Sequence, residues 1–295
     1  MISVLIPVYN YNVLPLVENV KAQCDACGII YEIIVLDDAS KNTAFITQND
    51  PINDLDYCHY EVLPANIGRS AIRNLLGQKA QYNWMLFLDA DVLPVDGMLI
   101  QKYLPFLTNN IKVVYGGIRY QPEKPAQSQI LRWHYGNARE ALQVDSRKEN
   151  PYLSLLTLNF CIHKQIFETV RFNETIPNLR HEDTLFSYNL KQHNITIEHI
   201  GNPVYHLGLE SSEIFLQKSE EAVIGLQYLI NNNLISPEYL KISGYYNTIK
   251  KTGLLPLARV WHKVTAKALR NYFLRPNPSL FIFDLYRLGY LCSLK

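Results

Sequence analysis

The chain has 295 residues, 48% of them apolar and 19% charged, with a formal net charge of +1. That length suits one larger α/β domain with appendages or two small domains, and the composition excludes wholesale disorder. The near-neutral balance supplies no nucleic-acid footprint, so no nucleic-acid partner is expected. Met1 runs straight into Ile2-Ser3-Val4-Leu5-Ile6 without a basic leader or a small-residue cleavage site. No apolar run approaches the roughly 18 residues that span a bilayer. The expectation is a cytoplasmic chain, soluble or peripheral on the inner face of the membrane. Cys24, Cys27, Cys58, Cys161 and Cys292 make an odd set, which argues against a disulfide framework. The lone CxxC at Cys24 and Cys27 reads as two helix-borne thiols.

In chain order, Ile2–Val8 is an apolar strand and Val13–Cys27 a helix. Glu32–Leu36 is a second buried strand, Tyr60–Leu63 a third. Arg69–Ala80 is helical, and Trp84–Leu88 is a fourth strand. Strands separated by helices imply parallel pairing through crossovers, and continuous apolar strands fit a sheet covered on both faces. Further on, Val113–Gly116 and Leu156–His163 read as strands around a helical Gln127–Leu142. Asp183–Gln192 is a helix, Ile195–Ile200 a strand and Ser211–Asn231 a helix. Breaks fall near Pro237 and Pro256.

Three of the early strands end in polar loops: Pro7-Val8-Tyr9-Asn10, Asp37-Asp38-Ala39-Ser40 and Asp89-Ala90-Asp91. Ligands of open parallel sheets sit at the carboxyl ends of strands, so these loops share one rim. Carboxylates at Asp89 and Asp91, across a turn, can converge on a hard divalent cation, which could bridge two phosphates. They could equally solvate a loop. An acid at Asp37 or Asp38 can accept from a nucleobase N–H or cap a turn. Glu182 and Asp183 favour a helix amino terminus through the macrodipole.

The ordered set Val4-Leu5-Ile6-Pro7-Val8-Tyr9-Asn10, Tyr31-Glu32-Ile33-Ile34-Val35-Leu36-Asp37-Asp38-Ala39-Ser40, Asn66-Ile67-Gly68-Arg69-Ser70-Ala71-Ile72-Arg73-Asn74 and Phe87-Leu88-Asp89-Ala90-Asp91 resembles the signature of the family 2 glycosyltransferases. It covers about the first hundred residues. The resemblance implies an α/β GT-A fold: a Rossmann-like, mostly parallel central sheet with helices on both faces, here with a C-terminal helical extension. It divides the chain into a nucleotide-sugar-binding half at 1–110, an acceptor half at 111–235 and a basic, aromatic extension at 236–295.

The same resemblance implies an inverting transfer of a sugar from a nucleotide diphosphate, UDP foremost, to an acceptor hydroxyl of a surface glycan or glycolipid. Pro7 and Tyr9 would line the base pocket, and Asp38 or Asp37 would bond the base edge. Gly68 would let the backbone approach the base, and Arg69 or Arg73 would serve the phosphates or brace the loop. Asp89 would reach the ribose or the metal, Mn2+ or Mg2+, and Asp91 would bind it directly. His206, in Tyr205-His206-Leu207-Gly208, would be a further ligand. His181-Glu182-Asp183-Thr184 matches the family's acidic pair, with Asp183 as general base. The alternatives are a nucleotidyltransferase, disfavoured because no Gly-rich phosphate loop follows the first strand, and a non-catalytic nucleotide- or glycan-binding module. Trp133-His134-Tyr135 would stack on a sugar or pack a helix.

From Pro256 onward seven Lys/Arg (Arg259, Lys263, Lys267, Arg270, Arg275, Arg287, Lys295) face one acid, Asp284. That tail is basic on an acidic body. Leu257, Val260, Trp261, Val264 and Ala268 recur there at helical spacing. The expectation is either contact with an anionic membrane surface or packing on the protein.

Overall fold

A computed structural model describes residues 1–108, 110–177 and 180–294. Lys295, counted in the tail's charge, lies outside them. In order, the elements of the first half are β1 (Ile2–Val8), α1 (Leu14–Ala26), β2 (Tyr31–Asp37), α2 (Thr43–Asn49), β3 (Cys58–Val62), α3 (Arg69–Lys79), β4 (Trp84–Leu88), β5 (Val92–Pro94), α4 (Leu99–Tyr103), β6 (Val113–Tyr115) and β7 (Ile118–Arg119). There follow α5 (Ile130–Arg139), α6 (Val144–Glu149), β8 (Asn159–His163), α7 (Lys164–Thr169), α8 (Glu182–Gln192), β9 (Ile197–His199), β10 (Val204–His206), α9 (Ser212–Asn231), α10 (Lys241–Lys251), α11 (Leu255–Phe273) and α12 (Leu280–Ser293).

The chain forms two compact units. The first comprises Met1–Gln121, Glu140–Glu174 and Glu182–Gly208; the second comprises Pro122–Arg139, Thr175–His181 and Leu209–Lys295. This division differs from boundaries drawn at 110 and 235. Two excursions, 122–139 and 175–181, leave the first unit for the second.

A seven-stranded sheet, ordered β3-β2-β1-β4-β8-β6-β9, is the spine of the first unit. β3, β2, β1 and β4 are parallel neighbours, and β6 pairs β9 in parallel. β8 runs antiparallel to both β4 and β6. β1 and β4 are apolar and almost wholly buried, as central strands covered on both faces require. The core joins Leu5, Leu36, Ile72, Leu76, Phe87, Phe160, Phe167 and Phe186. A small second sheet, β5-β10-β7, pairs β10 antiparallel to β5 and parallel to β7.

Arg147 holds the far strands together. Its guanidinium donates to the carbonyls of Tyr115 (3.3 Å), Gly116 (3.4 Å) and Ile200 (2.9 Å), and it lies over the Tyr115 ring at 5.0 Å. The Tyr115 and Gly116 carbonyls also accept from the backbone N–H groups of Ile200 (3.0 Å) and Asn202 (3.1 Å), so Arg147 is a second donor there and ties the end of β6 to the segment after β9.

In the second unit the core is Leu131, Leu216, Phe273, Phe283 and Tyr286, with Tyr135, Phe215 and Leu269 packed on it. Tyr135 sits 5.2 Å from the Phe215 ring and 5.9 Å from Phe283, so this residue of the Trp-His-Tyr run is core packing. Ser211 and Ser279 cap α9 and α12 through their hydroxyls. Arg139 pairs with Asp284 at 2.8 Å, and Glu220 takes both Arg270 and the Tyr286 hydroxyl.

Cys24 and Cys27 are free thiols. Burial pushes the Cys24 thiol up to about 12, which makes it unreactive.

Replacing Arg147 with Met keeps the bulk and removes the donors. The Tyr115 and Gly116 carbonyls keep their backbone donors, so the loss falls mainly on the Ile200 carbonyl and the variant is expected to lose about 1–3 kcal/mol in urea unfolding. A loss within error of zero would show that Arg147 is not what joins these strands.

Candidate active site

The strand order reverses at β1, whose neighbours β2 and β4 lie on opposite sides. β1 stays in register with β2 as far as Asp37, but its pairing with β4 ends at Leu5. Pro7 has no N–H to donate, which suits a strand end where one ladder has stopped. A cleft opens here, lined by Pro7, Val8, Tyr9, Tyr11, Asp38, Arg69, Ile72, Arg73, Asp89, Ala90 and Asp91. It is the crevice that a switch point of an open sheet creates.

Two tight turns shape its floor. Asn10 and Ala39 have left-handed backbones, with φ of 51° and 58°. The Asn10 N–H donates to the Ser40 hydroxyl oxygen at 2.6 Å, and the Asn10 side-chain oxygen accepts from the N–H groups of Lys41 (2.9 Å) and Asn42 (3.0 Å). The loops after β1 and β2 are thus laced to each other.

The two acids after β2 have different tasks. Asp37 is fully buried; its carboxylate accepts from the Ser40 N–H at 2.7 Å and from the Tyr60 hydroxyl at 2.8 Å. Asp38 faces the cleft and accepts from the N–H groups of Ile67 (2.7 Å) and Gly68 (3.0 Å). Gly68, with φ of 85°, is the residue before α3. Its left-handed backbone suits glycine. Asp38 therefore fixes the start of the helix that carries Arg69 and Arg73.

Those arginines lie four residues apart, on one face of α3. Arg73 is buried; it donates to Asp89 at 2.7 Å and to the Arg69 carbonyl at 3.3 Å. Arg69 is more open and reaches Glu182 at 3.5 Å. Burial raises the Asp89 carboxyl above its ordinary range against the pull of Arg73, and the neighbouring Asp91 carboxylate adds to the rise.

Asp91 lies beside β5, and β5 pairs with β10 so that Val92 faces His206. That register sets His206 Nε2 3.4 Å from the Asp91 carboxylate. The ring's Nδ1 is buried without a hydrogen-bond partner, and the ring rests edge-on against Tyr120. A Cβ on Gly208 would stand 2.0 Å from the Asp91 Oδ2 and 3.4 Å from His206 Nε2. The missing side chain is the room that the Asp91 carboxylate occupies.

At the start of α8, Asp183 accepts from the Thr184 N–H at 2.7 Å, an ordinary use of an acid at a helix amino terminus. Burial first, and the Glu182 carboxylate second, push its carboxyl up to about 6, while Arg73 and Arg69 pull the other way. A carboxylate poised near neutrality and within range of two arginines is a general-base candidate.

The expected residues are therefore brought together in part. Pro7, Tyr9, Asp38, Arg69, Arg73, Asp89 and Asp91 line one cleft. Asp183 lies outside its wall, beside Glu182, the partner of Arg69. Three of the expectations meet residues that lie away from the lining or are already engaged. Asp37 does not face the cleft, because it is buried and takes the Tyr60 hydroxyl. Gly68 is not in the lining; it carries the turn that Asp38 anchors. Asp89, Asp91 and His206 do not form a ready metal set: Asp89 is taken by Arg73, and among the described residues no three His, Cys, Asp or Glu side chains are arranged to hold an ion. Sequence reading missed Tyr11 and Gly208. Tyr11 stands one position past the Val4–Asn10 motif, and Gly208 two past His206.

An open sheet with its cleft at the β1/β4 switch point, flanked by an acid-rich rim and a helix bearing two arginines, defines a GT-A glycosyltransferase fold. The chain belongs to glycosyl transferase family 2, whose family model matches residues 3–169. It is 24% identical over 192 residues to an uncharacterized glycosyltransferase of Haemophilus influenzae, covering 63% of this chain and 70% of that one. Among solved structures it resembles the mannosyltransferase PcManGT from Pyrobaculum calidifontis, in complex with GDP-Man and Mn2+ (TM-score 0.56, 12% identity, 99% of this chain and 85% of that chain). It also resembles mannosyl-3-phosphoglycerate synthase from Rubrobacter xylanophilus (TM-score 0.54, 14% identity, 80% of this chain and 76% of that chain). Against S. aureus TarS (TM-score 0.48, 17% identity) the match covers 76% of this chain and 65% of that chain.

A raised carboxyl has a thermodynamic signature. The Asp183 proton is held more tightly in the folded state than at the ordinary value of 3.8, so ionisation destabilises the fold increasingly as pH rises from that value to about 6, and by a constant amount above. Asp183→Asn is expected to raise stability near neutral pH by on the order of 1–3 kcal/mol, with the gain vanishing in acid. Thermal melts across this range check it; equal melting of both proteins near neutrality would mean that Asp183 carries no such strain.

Proposed function

We propose that the chain transfers a sugar from a nucleotide diphosphate donor to an acceptor hydroxyl in one inverting displacement. The observation that carries this reading is the gathering of Asp38, Arg69, Arg73 and Asp91, from separate elements, round one cleft, with the raised Asp183 near the two arginines. Tyr9 and Tyr11 offer aromatic faces to a base, and Asp38 lies at its edge. The family resemblance makes UDP the leading nucleotide.

The two arginines divide the work. Arg73 is buried and committed to Asp89, so it braces the acidic loop. Arg69 is about 42% exposed in its side chain and can swing from Glu182 to a diphosphate oxygen, which its planar fork fits. Asp183 takes the acceptor's proton as the hydroxyl oxygen attacks the anomeric carbon and the nucleotide diphosphate departs. A base with a carboxyl near 6 gives a rate that rises with pH through that range.

Asp91 and His206 fit a divalent cation: one carboxylate and one imidazole, already neighbours, in a recess that a Cβ at position 208 would fill. An imidazole ligand favours Mn2+ over Mg2+. Asp91 and His206 would hold the ion, which would offset charge on the departing diphosphate. The acceptor is read as a glycan or glycolipid of surface polysaccharide assembly, met at the cytoplasmic face of a membrane.

Transfer from UDP-sugars with Mn2+ tests the base. Asp183→Asn is expected to lower kcat by about 10²–10⁴-fold while UDP affinity is kept; unchanged turnover would remove Asp183 from the mechanism. Gly208→Ala tests the metal recess by calorimetry of Mn2+ with UDP. The added methyl should displace the Asp91 carboxylate and weaken Mn2+ binding by about tenfold, the cost of disturbing one ligand's support. Unaltered Mn2+ affinity would place the ion elsewhere.

A further inference from the structure

We propose that the outward face of α11 docks on the anionic headgroup layer of a lipid bilayer. α11 has two apolar faces about half a turn apart. On one, His262 and Phe273 are buried and Ala266 and Leu269 pack on the core of the second unit; His262 meets the rings of Tyr286 and Tyr290. On the other, Leu257, Val260, Trp261 and Val264 recur at helical spacing and are 67%, 60%, 39% and 76% exposed. Leu254, 52% exposed, extends this stripe beyond the helix start. A surface helix of a globular protein ordinarily turns charge toward water on the side away from its core. A contiguous row of large apolar side chains there marks a surface with a partner.

The charge around the stripe selects the partner. Arg259, Lys263 and Lys267 recur every fourth residue along one flank, and Lys250 and Lys251 end the preceding helix; all five are exposed. From Lys241 onward the chain has ten Lys/Arg and a single acid, Asp284. Asp284 is already taken, by Arg139 at 2.8 Å and Arg287 at 4.0 Å. A second copy of this chain would set this same positive field against itself, which opposes a symmetric contact through the stripe. An anionic bilayer offers both complements, an apolar layer for the stripe and phosphates for the lysines. Trp261, between the two, has the amphipathic ring that settles at such interfaces. Among the described residues no helix is long and apolar enough to cross a membrane, so α11 would lie in the surface.

This surface is independent of catalysis and is tested without donor. The full chain is sedimented with vesicles of phosphatidylcholine alone and of phosphatidylcholine with phosphatidylglycerol. Binding is expected to the mixed vesicles, to weaken in high salt, and to be accompanied by a blue shift of tryptophan emission that Trp261→Phe abolishes. Lys263→Glu with Lys267→Glu should weaken binding by at least about tenfold, as should Leu257→Ser with Val260→Ser and Val264→Ser. All these sites are exposed, so thermal melts should stay unchanged and separate lost docking from lost folding. Three results would overturn the proposal: no vesicle binding, equal binding of the variants, or equal binding to phosphatidylcholine alone. Concentration-dependent dimerisation of the wild type, lost in the serine variant and without vesicle binding, would assign the stripe to a second copy instead.

Discussion

Between the carboxyl ends of β1 and β4 the sheet parts. β1 keeps its ladder to β2 for its whole length but leaves β4 after Leu5, and Pro7 offers no N–H with which to resume it. The polar residues of the cleft rim are arranged around that gap. The Asn10–Ser40 lacing sets two of its loops, Asp38 sets the start of α3, and α3 in turn sets Arg73 against Asp89. The first two steps use a side-chain oxygen to satisfy backbone N–H groups that no strand or helix reaches, and the third is a buried ion pair, so the rim is held by its own polar contacts.

Rigid placement leaves the electrostatics unbalanced on purpose. Asp89, Asp91, Glu182 and Asp183 crowd two arginines, and the carboxyls that lose most water, Asp89 and Asp183, are raised. In the function proposed, a cation beside Asp91 and a proton passing through Asp183 would relieve this crowding. This is the usual conflict between stability and activity at a working site.

Much of this was legible in the sequence, for reasons that can be named. Continuous apolar runs such as Val4-Leu5-Ile6 and Trp84–Leu88 announced central strands, and acids directly after them announced the rim. The antiparallel β8 was found as a strand, but its direction was not, because direction is set by how far the chain travels before returning. Asp37 and Asp38 were inseparable by type; burial against Tyr60 tells them apart. His206 was placed beside the acids by a motif's resemblance, whereas its actual approach depends on the β5–β10 register, which no local pattern encodes. The tail's apolar stripe was read correctly as a helix face. Which of α11's two faces turns inward required the packing of Phe273 and His262.

The most direct measurement of the central claim is a crystal structure of the chain soaked with UDP and Mn2+, with anomalous data at the manganese edge. The account predicts one anomalous peak within coordination distance of the Asp91 carboxylate and His206, bridging to the diphosphate, with the base between Tyr9 and Asp38. A nucleotide bound outside the β1/β4 cleft, or a manganese peak that touches neither Asp91 nor His206, would contradict it.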